Sequence, residues 1–298
     1  LGGREKLPGS RSLDLAREPE GAALKPEYRK AFEYSDCWVD DARLVLLNVL
    51  DAKEKGATVL TRTAATSARR SNGLWDVELT SSDGTKHYYR AKAIANAAGP
   101  WVERVIKDVV GAKPSRKVRL VKGSHVIVKK FWNTPNSYVF QNHDKRLVFL
   151  NSYQGKFGLI GTTDIPFKDA PETVAITEDE TDYMLAAVNK FTRAQLTRAD
   201  VLENYSGVRP LYDDDASNPS AVTRDYVFDV EGVPPLLSVF GGKITTYRKL
   251  AEHALQKLKP HLPHMGKDWT ARGILPGGDI ADADFEVFLA GFQAAHDF

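Results

Sequence analysis

Three stretches of this 298-residue sequence predict an α/β (α+β) protein in which a strand–glycine–helix element meets a separate antiparallel sheet. First, the apolar run Leu236–Phe240 reads as a buried strand. Gly241 and Gly242 follow it, and then Ile244, Tyr247, Leu250, Ala251, Ala254, Leu255 and Leu258 recur on one helical face. Second, from about Arg116 the texture becomes short strands joined by polar turns, at 118–128, 138–142, 147–153 and 157–161. Third, Ala93–Trp101 is rich in small residues, with Pro100 suited to the first turn of a helix. That stretch reads either as close helix–strand packing or as a place where a cofactor lies against the backbone.

The remaining elements follow in order. Residues 1–34 carry Arg, Lys, Gly and Pro without a period and are expected to be irregular. Asp40-Asp41-Ala42-Arg43-Leu44 opens a helix, acidic at its start as the helix dipole favours, and Gly56 closes it. A short strand is expected at 57–63, then strands at 66–70 and 74–80 about the hairpin signal Ser71-Asn72-Gly73. Ser82-Asp83-Gly84 turns the chain into a strand at 86–91. Thr177-Glu178-Asp179-Glu180 has the spacing of a capping box ahead of a helix to about Phe191. Strands are expected again at 201–208 and 221–230. After Pro260, the linker Pro276–Gly278 precedes acids and an apolar helix start. With no initial methionine and a helix opening at its last residues, the chain reads as cut at both ends.

Composition narrows the function. A net charge of +2, with no basic run interleaved with aromatics, offers no argument for nucleic acid. The single cysteine, Cys37, rules out an internal disulfide and fits a reducing compartment. The longest early apolar run, Leu44–Leu47, is far too short to span a bilayer, and no signal peptide is visible.

Five places put polar residues beside glycine or at a strand end: Lys122-Gly123-Ser124-His125, Gly161-Thr162-Thr163-Asp164, Ser206-Gly207-Val208-Arg209-Pro210, Thr223-Arg224-Asp225-Tyr226, and Lys243 after the two glycines. Singly, each has a plain reading. His125 serves as a structural histidine, Arg209 and Arg224 as ion-pair partners, Thr162 as a turn residue. Asp213-Asp214-Asp215 reads as a solvated loop rather than a metal site, because spaced ligands are missing elsewhere. Taken together, two arginines and a lysine suit a phosphate or oxyanion clamp, and a histidine beside it suits removal of a hydroxyl proton. That is the equipment for a small phosphorylated alcohol.

The stretches LGGREKLPGS, EYSDCWVDDARL, NAAGPW, KGSHVIV, IGTTD, YSGVRPL, TRDY and LLSVFGGKITTYRKLAEHAL, in this order, resemble the bacterial FAD-dependent (aerobic) glycerol-3-phosphate dehydrogenases. The resemblance runs from Leu1 to about Gly278. It implies a D-amino-acid-oxidase-like flavoprotein with a discontinuous FAD domain (1–115 and 236–262), an antiparallel substrate domain (116–235), and a linker with the start of a helical C-terminal domain (263–298). It implies oxidation of sn-glycerol 3-phosphate to dihydroxyacetone phosphate with FAD as cofactor and a quinone as acceptor. Peripheral attachment to the cytoplasmic side of the inner membrane and a possible homodimer are implied as well. The alternatives are a glycerophosphate oxidase passing electrons to oxygen and, for this stretch alone, a phosphate-ester-binding module without catalysis.

Residue by residue, the resemblance implies His125 as proton acceptor, with Thr162 as a substrate contact and Arg224 on the phosphate. It places Arg209 and Lys243 near the reacting carbon, and Ala98, Gly99, Gly241, Gly242, Ile244 and Thr245 against the flavin. The basic side of the last helix, with Arg248, Lys249, Lys257 and Lys259, reads either as a solvated face or as a membrane contact. One departure is large: no G-x-G-x-x-G fingerprint for a dinucleotide pyrophosphate occurs anywhere in the sequence. The chain by itself is therefore expected to hold FAD weakly and to be inactive.

Overall fold

A computed structural model describes residues 8–213 and 225–296. The chain opens with β1 (Arg11–Asp14) paired antiparallel to β2 (Lys30–Glu33), so the irregular structure expected up to Tyr34 is corrected. Each strand is only four residues long, too short for a period to show in the sequence. Leu13, Leu15 and Leu24 anchor this region in a core.

Helix α1 (Asp41–Glu54) begins where expected. The Asp40 carboxylate accepts the Arg43 N–H at 3.0 Å, and Gly56 follows the helix in the left-handed region at φ +93°. The strand expected at 57–63 is absent apart from Thr63, which begins β3 (Thr63–Ser71). A strand exists only against a ladder partner, and among the described residues none pairs with 57–62. β3, β4 (Leu74–Ser81) and β5 (Lys86–Ala91) form an antiparallel meander. Its first turn has Asn72 at φ +48° and Gly73 at +75°, the double left-handed geometry that matches strand twist.

β6 (Ile94–Asn96) leads through a 3-10 turn (Gly99–Trp101) into α2 (Val102–Arg104) and a π-helical turn (Val105–Val109). The antiparallel stretch then follows as β7 (Val118–Lys129), β8 (Tyr138–Gln141), β9 (Leu147–Tyr153), β10 (Phe157–Gly161) and β11 (Ile165–Phe167). After α3 (Glu178–Phe191), opened by the capping box on Thr177, comes β12 (Val201–Tyr212). The strand expected from residue 221 appears as β13 (Tyr226–Glu231); residues 221–224 lie outside the described residues. β14 (Leu236–Gly241), α4 (Tyr247–Leu258) and α5 (Phe285–Ala295) complete the chain.

The sheets divide the work. β7 is the spine of a six-stranded sheet. β10 pairs with residues 125–129 of β7 and β11 with residues 120–122, both along one edge. β12 runs along the other edge for the whole length of β7. On one face Val126, Val128, Val148, Leu150 and Ile160 pack under α3 through Met184, Leu185 and Val188. The opposite face, which carries His125, Tyr205 and Arg209, is not covered by α3.

A second sheet has the order β13-β14-β6, with β14 and β6 parallel. Of the predicted helical face on α4, Leu250, Ala254 and Leu258 pack against Leu237, Val239 and Phe228. Ile244, Tyr247 and Leu255 remain exposed, because this sheet is narrower than the apolar stripe.

Trp75 joins the meander to the second sheet. It is 1% exposed, packs with Leu236 and Phe240, and donates its indole N–H to the Pro235 carbonyl at 3.0 Å. The Arg70 guanidinium covers its ring, 4.3 Å from the centroid. Trp75→Ala should therefore cost about 3–5 kcal/mol, read as a lower urea midpoint. An unchanged midpoint would show that the two sheets are not coupled through this residue.

Candidate active site

The site grows from the pairing of β7 with its two neighbours. In an antiparallel ladder, directly opposed residues point to the same face. His125 stands opposite Gly161 on β10 and opposite Tyr205 on β12. Gly123 stands opposite Gly207, and Val121 opposite Arg209. All six β7 and β12 positions therefore share the face away from α3.

The glycines on this face are seats. A Cβ at Gly161 would come within 2.6 Å of His125 Nε2, so the imidazole lies flat across the backbone of β10. On its other side the ring stacks on Tyr205, with centroids 4.8 Å apart and planes 11° from parallel. A Cβ at Gly123 would meet Arg209 Nη2 at 2.6 Å and Thr162 Oγ1 at 2.8 Å. Arg209 starts on the β12 side of β7, yet its guanidinium reaches residues 162–164, the link between β10 and β11 on the other side. It crosses β7 over Gly123, where a side chain would block it. There Nη2 donates to Thr162 Oγ1 at 3.1 Å, and Nη1 pairs with the Asp164 carboxylate at 2.5 Å.

His125, Thr162 and Arg209, read from three separate sequence stretches, thus form one cluster. The ion-pair reading of Arg209 holds too, through Asp164. Arg209 and His125 are neighbours electrostatically. Burial pushes the imidazole pKa down to about 4, and the positive charge of Arg209 adds to that. The ring is neutral near pH 7, and its Nδ1 is buried with no hydrogen-bond partner among the described residues.

Two further pieces close on this cluster. Gly99, at φ +54°, faces the Pro210 ring, its Cβ position 3.9 Å from Pro210 Cγ, so the small-residue stretch abuts the residue after Arg209. Ala98 precedes it and accepts the Trp101 N–H at 3.0 Å, while its own N–H points to Asn96 Oδ1 at 3.4 Å. Buried Asn96 ties this turn down by donating to the Val102 carbonyl at 3.0 Å.

At the end of β14, Gly241 (φ +80°) and Gly242 (φ +105°) turn the chain where no Cβ fits. At Gly241 it would lie 2.7 Å from the Asp225 carbonyl and 3.3 Å from the Tyr212 N, at the end of β12. Lys243, Ile244 and Thr245 follow, exposed, at the start of the 3-10 turn (Ile244–Thr246) that runs into α4. Among the described residues no hydrogen bond joins the Lys243 side chain to His125, Thr162 or Arg209. Arg224 lies outside the described residues, as do Asp214 and Asp215. No group of three or more His, Cys, Asp or Glu among the described residues is placed to hold a metal ion.

The parallel strands β6 and β14 both end here, and crevices beyond the carboxyl ends of parallel strands are where α/β proteins hold nucleotide ligands. A family model described as FAD dependent oxidoreductase matches residues 3–248. The chain belongs to the FAD-dependent oxidoreductases. It is similar to D-erythritol 1-phosphate dehydrogenase of Brucella abortus, 59% identical over 291 residues, which are 97% of this chain and 58% of that protein. The aerobic glycerol-3-phosphate dehydrogenase of Escherichia coli is 48% identical over 302 residues, spanning 100% of this chain and 60% of that protein. Among solved structures, glycerol-3-phosphate dehydrogenase from Bacillus halodurans complexed with FAD superposes with a TM-score of 0.78 at 27% identity, covering 98% of this chain and 57% of that one. The chain thus spans less than two thirds of the length of these relatives.

The backbone at these turns has room for the FAD that the family binds. Positive-φ glycines at 99, 241 and 242 leave backbone open to close approach, beside a polar cluster on an uncovered sheet face. The sequence signals missed three parts of the cluster. They are the seating role of Gly123 and Gly161, the Asp164 partner of Arg209, and the Tyr205 stack. Gly123 and His125 are two apart, hence on one strand face, and that spacing was the available clue.

Because the folded pKa of His125 is depressed, the unfolded chain takes up a proton near the ordinary value of 6.5, whereas the folded protein does so only near 4. Stability from this residue is full above 6.5 and falls as pH drops from 6.5 to 4. His125→Gln should lose less melting temperature than the parent across that window. Identical acid limbs in the two proteins would contradict a neutral, desolvated His125.

Proposed function

We propose that the protein, with FAD bound, oxidises the secondary alcohol of a short polyol phosphate to a ketone, with sn-glycerol 3-phosphate giving dihydroxyacetone phosphate. The observation that carries this reading is the cluster of neutral His125 beside Arg209 and Thr162 on an open sheet face. It combines a proton acceptor with an anion-binding fork. Ala98, Gly99, Gly241, Gly242, Ile244 and Thr245 would line the flavin. Bound FAD supplies the two-electron acceptor for the hydrogen on the alcohol carbon.

The chain's own residues handle the proton and the charge. His125 takes the hydroxyl proton. An imidazole held near 4, chiefly by burial, is a weak base, and the negative charge of the bound phosphate ester raises its affinity for that proton. Arg209 and Lys243 stabilise the developing alkoxide, and Thr162 orients the substrate. Arg224 is assigned to the phosphate. The division into an FAD domain (1–115 and 236–262), a substrate domain (116–235) and a C-terminal region (263–298) goes with this proposal.

A specific observation favours a second substrate, D-erythritol 1-phosphate: the 59% identity over 97% of the chain to a dehydrogenase of that name. The two substrates share a phosphate and a secondary alcohol and differ by one CHOH unit. A quinone is the proposed acceptor; relatives named dehydrogenases favour an acceptor other than oxygen. Peripheral membrane contact is proposed through the basic side of this helix. Arg248 and Lys249 both pair with Glu252, at 3.0 and 2.9 Å, leaving Lys257 and, just past α4, Lys259 as the basic surface. Among the described residues no helix is long and apolar enough to cross a membrane.

Because this chain by itself is expected to hold FAD weakly, the test is anaerobic titration of the flavin-loaded full-length enzyme that carries it with each polyol phosphate. Bleaching of the flavin band by one or both is expected, and no bleaching by either would refute the proposal. His125→Ala should lower kcat about 10²–10⁴-fold with a smaller change in KM, as for loss of a general base. Arg224→Ala should mainly raise KM. Equal, small effects from both would remove these assignments.

A further inference from the structure

Behind the active-site face, on the α3 side of the sheet, Glu180 is 3% exposed and accepts from five donors. Its Oε1 accepts the Ser124 and Thr163 hydroxyls, each at 2.8 Å. Its Oε2 accepts the Thr177 N–H at 2.9 Å, the Thr177 hydroxyl at 3.1 Å and the Lys122 ammonium at 2.7 Å. Burial alone would raise this carboxyl. The Lys122 bond, then those from Thr177, Ser124 and Thr163, outweigh burial and hold it at about 2, so it stays charged in the folded protein.

The network has one sense. Because Ser124 gives its hydroxyl proton to Glu180, Ser206 must donate to Ser124 at 2.8 Å. Thr163 likewise gives its proton to Glu180 while accepting the Ser124 N–H at 3.0 Å. Two of these residues adjoin the active-site cluster in sequence. Ser124 precedes His125, and Thr163 follows Thr162. Residues 162–164 are the link between β10 and β11, where the ladder with β7 is interrupted. Side-chain bonds to Thr163 therefore stand in for the missing ladder. From the front, Arg209 holds the link through Thr162, Asp164 and the Thr163 carbonyl.

We propose that Glu180 is a positioning residue that acts through Thr163. Its fixed negative charge clamps the 162–164 link from behind, so that Thr162 and the Arg209 fork meet the substrate in one geometry. Glu180 touches neither substrate nor flavin. The inference rests on the functional reading above for its kinetic consequence, but not for its structural one.

The test uses Thr163→Val, which removes the hydroxyl that donates to Glu180 and accepts the Ser124 N–H but keeps the helix cap and the Lys122 pair, with Thr163→Ser as the conservative partner. Hydrogen exchange of the intact protein should accelerate across 161–165 in Thr163→Val and match the parent in Thr163→Ser. In the flavin-loaded full-length enzyme, Thr163→Val should raise KM for the bleaching polyol phosphate about tenfold, with kcat changed less than about threefold and flavin content equal, while Thr163→Ser restores KM. Parent-like exchange or parent-like KM in Thr163→Val, or failure of Thr163→Ser to restore either, overturns the proposal. If the parent bleaches with no polyol phosphate, the functional reading has failed, and the exchange experiment still decides whether Glu180 clamps the link.

Discussion

The register of β12 on β7 is the constraint on which the site depends. From Tyr205↔His125 through Ser206↔Ser124, Gly207↔Gly123 and Val208↔Lys122 to Arg209↔Val121, each opposed pair settles which side chains share a face. A slip of one residue would send Arg209 and Tyr205 under α3 and bring Ser206 and Val208 to the open face. The α3 side of the sheet opposes it, because Ser206 would leave the Ser124 hydroxyl that it meets there at 2.8 Å. The bulge near Val201 takes up the irregularity at the far end of the strand, away from the cluster.

Given that register, the two faces of β7 have opposite electrostatic character. One face buries a saturated carboxylate, Glu180, whose partners are all donors. The other presents a cation, Arg209, beside a neutral imidazole. The backbone of β7 separates them by a single layer, and the alternation of Lys122, Gly123, Ser124 and His125 distributes residues between the two sides. Glycine occupies the crossing point because a guanidinium must pass over the strand there. The same logic places Gly161 beneath the His125 ring. These glycines serve side chains rather than turns, unlike Gly241 and Gly242, whose positive φ values serve the backbone.

Much of the architecture was legible in local pattern. The Asn72-Gly73 turn, the Asp40 and Thr177 caps, and the β14–glycine–α4 unit are specified by residues a few positions apart, and each formed where expected. The failures share a physical cause. β1 and β2 are too short to show a period, and residues 57–62 have strand-like composition without a ladder partner among the described residues. β11 escaped notice because three residues with a central proline carry almost no strand signal.

By itself, the sequence determined the candidate site residues and their local settings: a histidine two positions after a glycine, an arginine before a proline, paired threonines after a strand, and lysine after two glycines. Those are short-range properties, fixed by composition and by φ/ψ demands along a few residues. Only the tertiary structure decided that Arg209 crosses β7 to Thr162 and Asp164, that His125 lies between Gly161 and Tyr205, and that Glu180 holds the same link from behind. These contacts join residues tens of positions apart. They exist because antiparallel pairing imposes a common face on opposed residues, and the register that pairs them is set by contacts between strands rather than by any local motif.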